Sequence, residues 1–516
     1  MDRLKQFYSK KDDSVRQWLT ELRSTTESEC MSVLQVKPLR PSDPSPGGVE
    51  AVKQLKDGID SLRREADKIS EDFSEIFRCF EECSWGEFLE DALEITHHIN
   101  FLICICQSSV KGIPDYIKEQ QDMVMGECAK LKHQASSFCS SESISQKNKV
   151  PLVNQLTFLG QTFSRLVDLT LGLLVQRIVD YLDSNSSTLL HAAIACLITL
   201  GLDGEHMCFI IAREGGVRGL LEICRRDSMS FTCSQALRAL ATVCCAPECI
   251  AEFELERGVE SLLDLLCDFN TGYERVQGEA AGVVAQLTSP GLQNGHNLPG
   301  LLENLYRLLQ ALLNLSSKTQ NHEVFLLSVA AIANITFLHK QSCSILLQLQ
   351  APRLLVMASS MPKASSLFAK DQIATIFANI ATSQACQKAI RQQDGVHLLV
   401  SFLYERPLTS YGPAETAACS HVQQKAAIAL SRLCCDGTLA NKVIITRGIP
   451  RLVELCRCSA ARNNSDSVLI ACLAALRKIC DVCGTSEIGR QDLQQLVYPQ
   501  LMESFLICSH KDENFV

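Results

Sequence analysis

The sequence predicts an all-α protein, most of which is an α-solenoid built from repeated groups of three helices. A segment rich in leucine recurs at intervals along the chain, as in GGVRGLLEIC, RGVESLLDLLC and RGIPRLVELC. An alanine-rich helical segment recurs with it, as in QALRALATVCC, IATIFANIA and LAALRKIC. The small residues at helix crossings let the backbones approach, and the aliphatic residues fill the layer between neighbouring groups. The leucine-rich segments begin at Gly216, Gly258, Gly300, Ala351, Gly395 and Gly448.

The spacing of these six positions predicts the type of repeat. By subtraction they lie 42, 42, 51, 44 and 53 residues apart, and periods of about 40 to 47 residues are typical of armadillo and HEAT repeats. Residues 371–403 show one whole unit, with a long helix, a short helix, a glycine and a third helix. We expect Gly395 to end the short helix, because glycine adopts a left-handed backbone at little cost. The sequence therefore predicts an armadillo-type array over residues 151–508, with insertion loops at residues 289–299 and 406–420.

Composition limits the function classes. A net charge of −9 over 516 residues argues against nucleic acid as the main partner, because phosphate binding needs a basic surface. No run of 18 apolar residues and no secretion signal is apparent, so we expect a cytoplasmic protein without direct membrane insertion. Many of the 26 cysteines fall at helix-core positions, as free cysteines do in a reducing compartment. A zinc site at Cys456, Cys458, Cys480 and Cys483 is the alternative, but a second C-x-x-C pair is missing, so no metal or other cofactor is expected.

The amino-terminal arm, residues 1–48, has the features of a linear binding peptide, centred on residues 12–39. An apolar helical face is followed by two acidic residues, an apolar extended strip and a proline-rich linker over residues 38–46. An isolated helix this short is marginal in water, so the arm needs a surface to bind, either on a partner or on its own domain. The residues concerned are Val15, Trp18, Leu19, Leu22, Glu27, Glu29, Met31, Val33 and Leu34.

A helical bundle is predicted between the arm and the repeats, over residues 49–145. An apolar stripe with alternating steps of three and four residues runs from Leu55 to Phe80, and two further helices are predicted over residues 88–106 and 116–138. Such a bundle would cap the first repeat, because the end of a solenoid must cover its apolar layer. The chain ends in a tail, residues 509–516, whose sequence ENFV resembles a PDZ ligand with Phe515 and Val516 as the terminal pair.

Catalysis is not expected. No hydrolase, phosphate-loop or metalloprotease motif surrounds the histidines, and solenoids usually act through a long concave surface. On that surface the long helices place one equivalent residue per repeat, with Ala239 at the start of the series and Lys478 at its end. In many armadillo proteins this residue is an asparagine that binds the backbone of an extended peptide, so a cargo or transport receptor is the alternative function. The candidate groove residues are Gln286, Asn334, Asn379 and Arg432.

The complete chain resembles the Inscuteable family. The resemblance is carried by DSVRQWLTELRSTTESECMSVLQ, followed by the proline linker, the helical region and the armadillo array in that order. It implies an arm that binds the tetratricopeptide groove of the LGN/Pins adaptor, which connects to Gα subunits, and an array that associates with the scaffold of the Par polarity complex. The expected function is therefore that of a cytoplasmic adaptor, recruited to the cell cortex, that orients the spindle in asymmetric cell division.

Overall fold

The described part of the chain is helical throughout. The computed structural model describes residues 50–82, 84–109, 112–139, 149–226, 231–267, 274–290 and 298–509. These residues fall into two compact units, one that ends at Arg226 and one whose first described residue is Phe231.

The first unit consists of a long-helix bundle and one group of three shorter helices. Its helices are α1 (Glu50–Glu82), α2 (Trp85–Ser109), α3 (Asp115–Cys139), α4 (Lys149–Asp180), α5 (Ser187–Gly201), α6 (Glu205–Arg213) and α7 (Gly216–Arg226).

The bundle contains four helices rather than the three expected. Helix α1 packs against α2 and α4, and α3 packs against both α2 and α4. The predicted stripe on α1 is largely in the core, since Ile59, Leu62 and Ile69 are fully buried. The boundary expected between residues 145 and 151 therefore falls just before a helix that belongs to the bundle. The segment Val150–Asp183 is apolar and long enough to cross a membrane by length and composition, but 56% of its apolar window is buried inside the protein.

The second unit repeats a pattern of three helices, which in most repeats is a long helix followed by two shorter helices. Its helices are α8 (Phe231–Val243), α9 (Pro247–Leu255), α10 (Gly258–Cys267), α11 (Glu274–Leu287), α12 (Pro299–Glu303), α13 (Leu305–Lys318), α14 (His322–Leu338), α15 (Ser342–Gln348), α16 (Ala351–Ser359), α17 (Leu367–Ile380), α18 (Gln384–Gln392), α19 (Gly395–Leu403), α20 (Pro413–Leu433), α21 (Gly437–Ile445), α22 (Gly448–Arg457), α23 (Asp466–Cys483), α24 (Arg490–Asp492), which continues into a π-helical turn, and α25 (Leu501–Cys508).

The long helices of this unit form one continuous layer. Helix α8 packs against α11, α11 against α14, α14 against α17, α17 against α20 and α20 against α23. The three-helix order predicted for residues 371–403 is observed as α17, α18 and α19. The all-α, armadillo-type α-solenoid fold class predicted from the sequence is confirmed.

The role expected for Gly395 was wrong. The left-handed residue between α18 and α19 is Asp394, with φ of +57°, and Gly395 is already the first residue of α19. A Cβ atom at Gly395 would lie 2.6 Å from Cγ2 of Ile390 and 3.1 Å from its carbonyl oxygen. Gly448 approaches Val443 in the same way, with a Cβ atom 2.5 Å from its Cγ1. Glycine is therefore required here because the two helices approach closely, and not because of the backbone angle.

A buried lysine ties one repeat to the next. Lys363 follows α16 and is only 2% exposed, and its Nζ donates hydrogen bonds to the carbonyl oxygens of Ser316, Ser317 and Thr319 at 2.8, 2.8 and 2.9 Å. These carbonyls are at the carboxyl end of α13, where a cation also interacts favourably with the helix dipole. The buried ammonium group of Lys363 is thus compensated by three hydrogen bonds within the fold.

The four cysteines weighed as zinc ligands have dissimilar surroundings. Cys456 and Cys480 are buried, Cys458 is exposed, and every described cysteine is a free thiol. Burial raises the pKa of the Cys480 thiol to about 11, which disfavours the thiolate form that binds metals. Among the described residues, no three His, Cys, Asp or Glu side chains are grouped as metal ligands.

Candidate peptide-binding groove

The long helices place the candidate groove residues at equivalent positions in successive repeats. Asn334 lies on α14, Asn379 on α17 and Arg432 on α20, and these three helices pack in that order. Helix α14 begins where the Asn321 side chain accepts hydrogen bonds from two backbone amides, and α17 begins where Ser366 caps the helix in the same way. These caps fix the first residue of each helix and therefore which residue occupies the equivalent position in each repeat.

Each of these side chains donates a hydrogen bond to the preceding long helix. Asn334 Nδ2 donates to the carbonyl oxygen of Ala285 at 2.8 Å. Asn379 Nδ2 donates to that of Ala333 at 3.4 Å, and an Arg432 guanidinium nitrogen donates to that of Ala378 at 2.6 Å. Every acceptor is the residue just before the equivalent position in the previous repeat, so these side chains connect neighbouring repeats through their backbones.

The structure corrects the expectation at Asn334. This side chain is only 2% exposed, and its Oδ1 is buried without a hydrogen-bond partner in the described part of the chain. Asn334 therefore lies in the packing layer and does not line a groove. Gln286 is partly exposed.

Asn379 and Arg432 do line an open cavity. The cavity has a volume of about 180 Å³ and is formed by α14, α17, α20 and the start of α15. Asn379 also donates from Nδ2 to Thr336 Oγ1 at 3.0 Å, which orients its amide, and no described residue donates a hydrogen bond to its Oδ1. Phe337, which is 44% exposed, supplies an apolar wall.

The cavity is strongly basic. Lys340, Lys425 and Arg432 all line it, and none of its described lining residues is a carboxylate. Lys340 is exposed at the edge of the cavity, whereas Lys425 is only 6% exposed. Over the described ranges, Lys425 makes no hydrogen bond and no ion pair.

Two buried titratable groups interact with Lys425. Burial raises the pKa of Asp371 to about 7, and attraction to Lys425 opposes that rise. Burial lowers the pKa of His421 to about 4, and repulsion from Lys425 adds to that change. His421 is therefore uncharged at neutral pH and offers Lys425 no counter-charge, whereas Asp371 is only partly ionised and offsets only part of the charge of Lys425.

The other histidines in the part of the chain that the structure describes share no common site. His98 Nδ1 lies 2.6 Å from an Asp72 carboxylate oxygen in the bundle, and His206 pairs with Asp168 at 3.0 Å on the surface.

Helical spacing could have indicated Lys425 as a residue of the cavity, because it lies two turns before Arg432 and shares its face. What the spacing cannot show is whether Lys425 has a partner.

The two terminal sites lie outside the described residues. All nine arm residues, from Val15 to Leu34, and the terminal pair Phe515 and Val516 belong to segments that the structure does not describe. Their assignment as binding residues rests on the sequence.

Comparison with known proteins covers nearly the whole chain. Residues 65–516 match the family model described as Protein inscuteable C-terminal, and residues 11–47 match the one described as Inscuteable LGN-binding domain. The mouse and human proteins named Protein inscuteable homolog are each 36% identical to this chain over 511 residues, which is 98% of this chain and 88% of theirs. The crystal structure of an engineered protein aligns with a TM-score of 0.53 and 20% identity over 84% of this chain and 96% of its own, which is a likeness of fold alone.

Proposed function

Because this chain belongs to the Inscuteable family, we propose that it is a non-enzymatic adaptor in spindle orientation and that its amino-terminal arm binds LGN. The observation that carries this proposal is the match of residues 11–47 to the Inscuteable LGN-binding domain. The identity of 36% to the mouse and human relatives over almost the full chain supports the same role.

The chemistry of the arm fits a long tetratricopeptide groove. The spacing of Val15, Trp18 and Leu22 predicts one apolar face on a helix too short to fold alone, so a partner would bury it. Glu27 and Glu29 would then meet basic side chains inside the groove, and such charge-assisted contacts fix the direction of the chain. Leu19 belongs to the same apolar face, and we propose that this face occupies one end of the groove. The extended strip of Met31, Val33 and Leu34 would then lie along the rest of the groove.

The armadillo array is proposed to be the second binding element of the adaptor. It would bind a peptide of the Par polarity scaffold at the cavity beside Asn379 and Arg432 and so recruit the protein to the cell cortex. With LGN on the arm and a polarity protein on the array, one chain connects the two systems and orients the spindle in asymmetric division. The tail is proposed to add a PDZ partner through the terminal carboxylate of Val516.

Transport of basic cargo is the weaker alternative. A carrier for basic peptides needs acidic side chains along its groove, whereas Lys340, Lys425 and Arg432 line this cavity. These three cations would repel the positive charges of a basic peptide in the cavity, so such a peptide is disfavoured.

The test is a titration of the full chain with the tetratricopeptide domain of LGN. Trp18→Ala should weaken binding roughly thirtyfold or more, because truncating a buried aromatic anchor typically costs about 2 kcal/mol. Gln17→Ala is the matched control, since Gln17 lies on the opposite face of the same helical segment.

Removal of residues 1–46 is the complementary experiment. Loss of LGN binding, with the array still folded by circular dichroism, supports the proposal. If the shortened chain bound LGN as tightly as the full chain, the arm would not be the LGN-binding element.

A further inference from the structure

Lys425 is a buried cation that the described fold leaves without a partner. It lies on α20, is only 6% exposed, and lines the cavity that Asn379 and Arg432 also line. It forms no hydrogen bond and no ion pair with any of the described residues.

Such an arrangement is costly unless something else compensates it. A buried charge is normally paired or fully hydrogen-bonded, because the loss of hydration of an isolated ammonium group is worth several kcal/mol. Asp371 attracts Lys425 through space but forms no ion pair with it, and its own burial disfavours ionisation. An anion in the cavity would provide the missing partner.

We propose that this cavity binds the carboxylate side chain of an extended acidic peptide from a partner protein. Lys425 contacts the carboxylate, Arg432 and Lys340 add positive potential, and Asn379 presents its free amide oxygen to a peptide N–H. This inference deepens the proposed function and rests on one part of it, the role of the array as a peptide receptor.

The dimensions favour a side chain over a free small molecule. Small-molecule sites usually enclose about 300 to 1,000 Å³, whereas this cavity holds about 180 Å³. Phe337, which is 44% exposed beside the cations, offers apolar contact to the methylene groups of a glutamate. The cavity is thus suited to one anchored residue of a longer chain that continues along the long helices.

The experiment measures binding of labelled decapeptides to the full chain by fluorescence anisotropy. Three probes of alternating residues are compared, with Glu and Ser, Gln and Ser, or Lys and Ser. The Glu probe should bind at least about tenfold more tightly than the Gln probe, because hydrogen bonds to charged groups are worth about 1.5 to 3 kcal/mol. Added salt should weaken binding of the Glu probe and leave binding of the uncharged Gln probe nearly unchanged.

Variants locate the site. Lys425→Met should weaken the Glu probe at least about tenfold, and Lys340→Met, at the exposed edge, about threefold. Lys388→Met removes the same charge from an exposed position on α18 and should change affinity less than about twofold. Circular dichroism of each variant checks folding, and Lys340→Met still decides the matter if Lys425→Met does not fold.

The outcomes separate this inference from the adaptor function. If the Lys or Gln probe bound as tightly as the Glu probe, the acidic preference would be wrong and the peptide-receptor role would stand. If inorganic phosphate bound as tightly as the Glu probe and displaced it, the site would be one for small anions and the inference would fail. If no probe bound, the inference and the receptor role would both fail, while the LGN titration would still test the arm.

Discussion

Lys363 and Lys425 are two buried lysines of the same armadillo unit with opposite surroundings. Lys363 is 2% exposed and donates to three backbone carbonyls at 2.8 to 2.9 Å. Lys425 is 6% exposed and, across the residues that the structure describes, donates to none. Burial alone therefore does not distinguish a structural cation from a binding cation, and the hydrogen-bond partners do.

The same contrast separates Asn334 from Asn379. Both lie in the sequence Ala-Asn-Ile on a long helix, so their local sequences are nearly identical. Both also donate a hydrogen bond to a carbonyl oxygen of the preceding repeat. Asn334 is sealed in the packing layer, whereas Asn379 is only half-buried and opens onto the basic cavity. The same position is thus sealed by packing in one repeat and open to a cavity in the next.

The largest expected effect is at Lys363. Lys363→Met should lower the free energy of unfolding by roughly 2 to 4 kcal/mol, because it removes three charge-assisted hydrogen bonds and leaves buried carbonyls without a donor. Urea unfolding followed by circular dichroism measures it, with Lys388→Met as the exposed control. A loss below about 0.5 kcal/mol would mean that Lys363 does not hold the two repeats together.

A steric defect at Gly395 provides a reference that involves neither lysine. Gly395→Ala should lower the free energy of unfolding by about 1 to 3 kcal/mol, because its Cβ would collide with Ile390. Gly437→Ala is the matched control, since a Cβ there would make an ordinary contact of 3.5 Å with Val482. Equal stability of the two variants would contradict the close approach of α18 and α19.

The third prediction concerns the charge that faces Lys425. Burial raises the pKa of Asp371 to about 7 from its ordinary value near 4, so the folded state holds this proton more tightly than the unfolded state does. The contribution of Asp371 to stability is then fully present below about pH 4 and is lost as pH rises through about 7.

Asp371→Asn removes this dependence. Between pH 4 and pH 8 the variant should gain about 1 to 3 kcal/mol relative to the wild type, measured by urea unfolding at each pH. Asp394→Asn is the control and should show little pH dependence between pH 4 and pH 8, because a hydrogen bond from Lys442 lowers the pKa of Asp394, so that it titrates below this range. A pH-independent difference between Asp371→Asn and the wild type would show that Asp371 is not a buried acid.

Much of the fold could be predicted from the sequence, because helical period and repeat spacing are local signals. The glycines that begin the leucine-rich segments, such as Gly395 and Gly448, are the first residues of α19 and α22. The alanine-rich segments correspond to long helices such as α14 and α17. The reason for Gly395 could not be inferred, since it depends on the distance to Ile390 across a turn. Its neighbour Asp394 adopts the left-handed angle instead.

The candidate site was predicted only in part. The repeat register identified Asn379 and Arg432, which do line the cavity, but it also suggested Asn334, which is buried. The sequence does not reveal which neighbours seal a position, because that depends on the packing of three helices. Lys425 was missed because its unusual property is that no described residue pairs with it, which only the three-dimensional arrangement shows.

The smallest expected change in stability is at Lys425. Lys425→Met should leave the free energy of unfolding within about 1 kcal/mol of the wild type or raise it, because it replaces an unpaired buried cation by an apolar side chain. The same substitution at Lys363 should destabilise the protein, so the pair isolates the effect of the hydrogen-bond partners.

The central claim is that Lys425 belongs to a ligand site whereas Lys363 belongs to the fold. Its most direct test is the thermal unfolding midpoint of the full chain with and without the alternating Glu and Ser decapeptide. A ligand that binds only the folded state at about 100 times its Kd adds about 2.7 kcal/mol of stability. We predict that the decapeptide raises the midpoint of the wild type and of Lys363→Met fully, whereas a tenfold or larger loss of affinity leaves at most about half of that rise in Lys425→Met. An equal rise in Lys425→Met would contradict the claim.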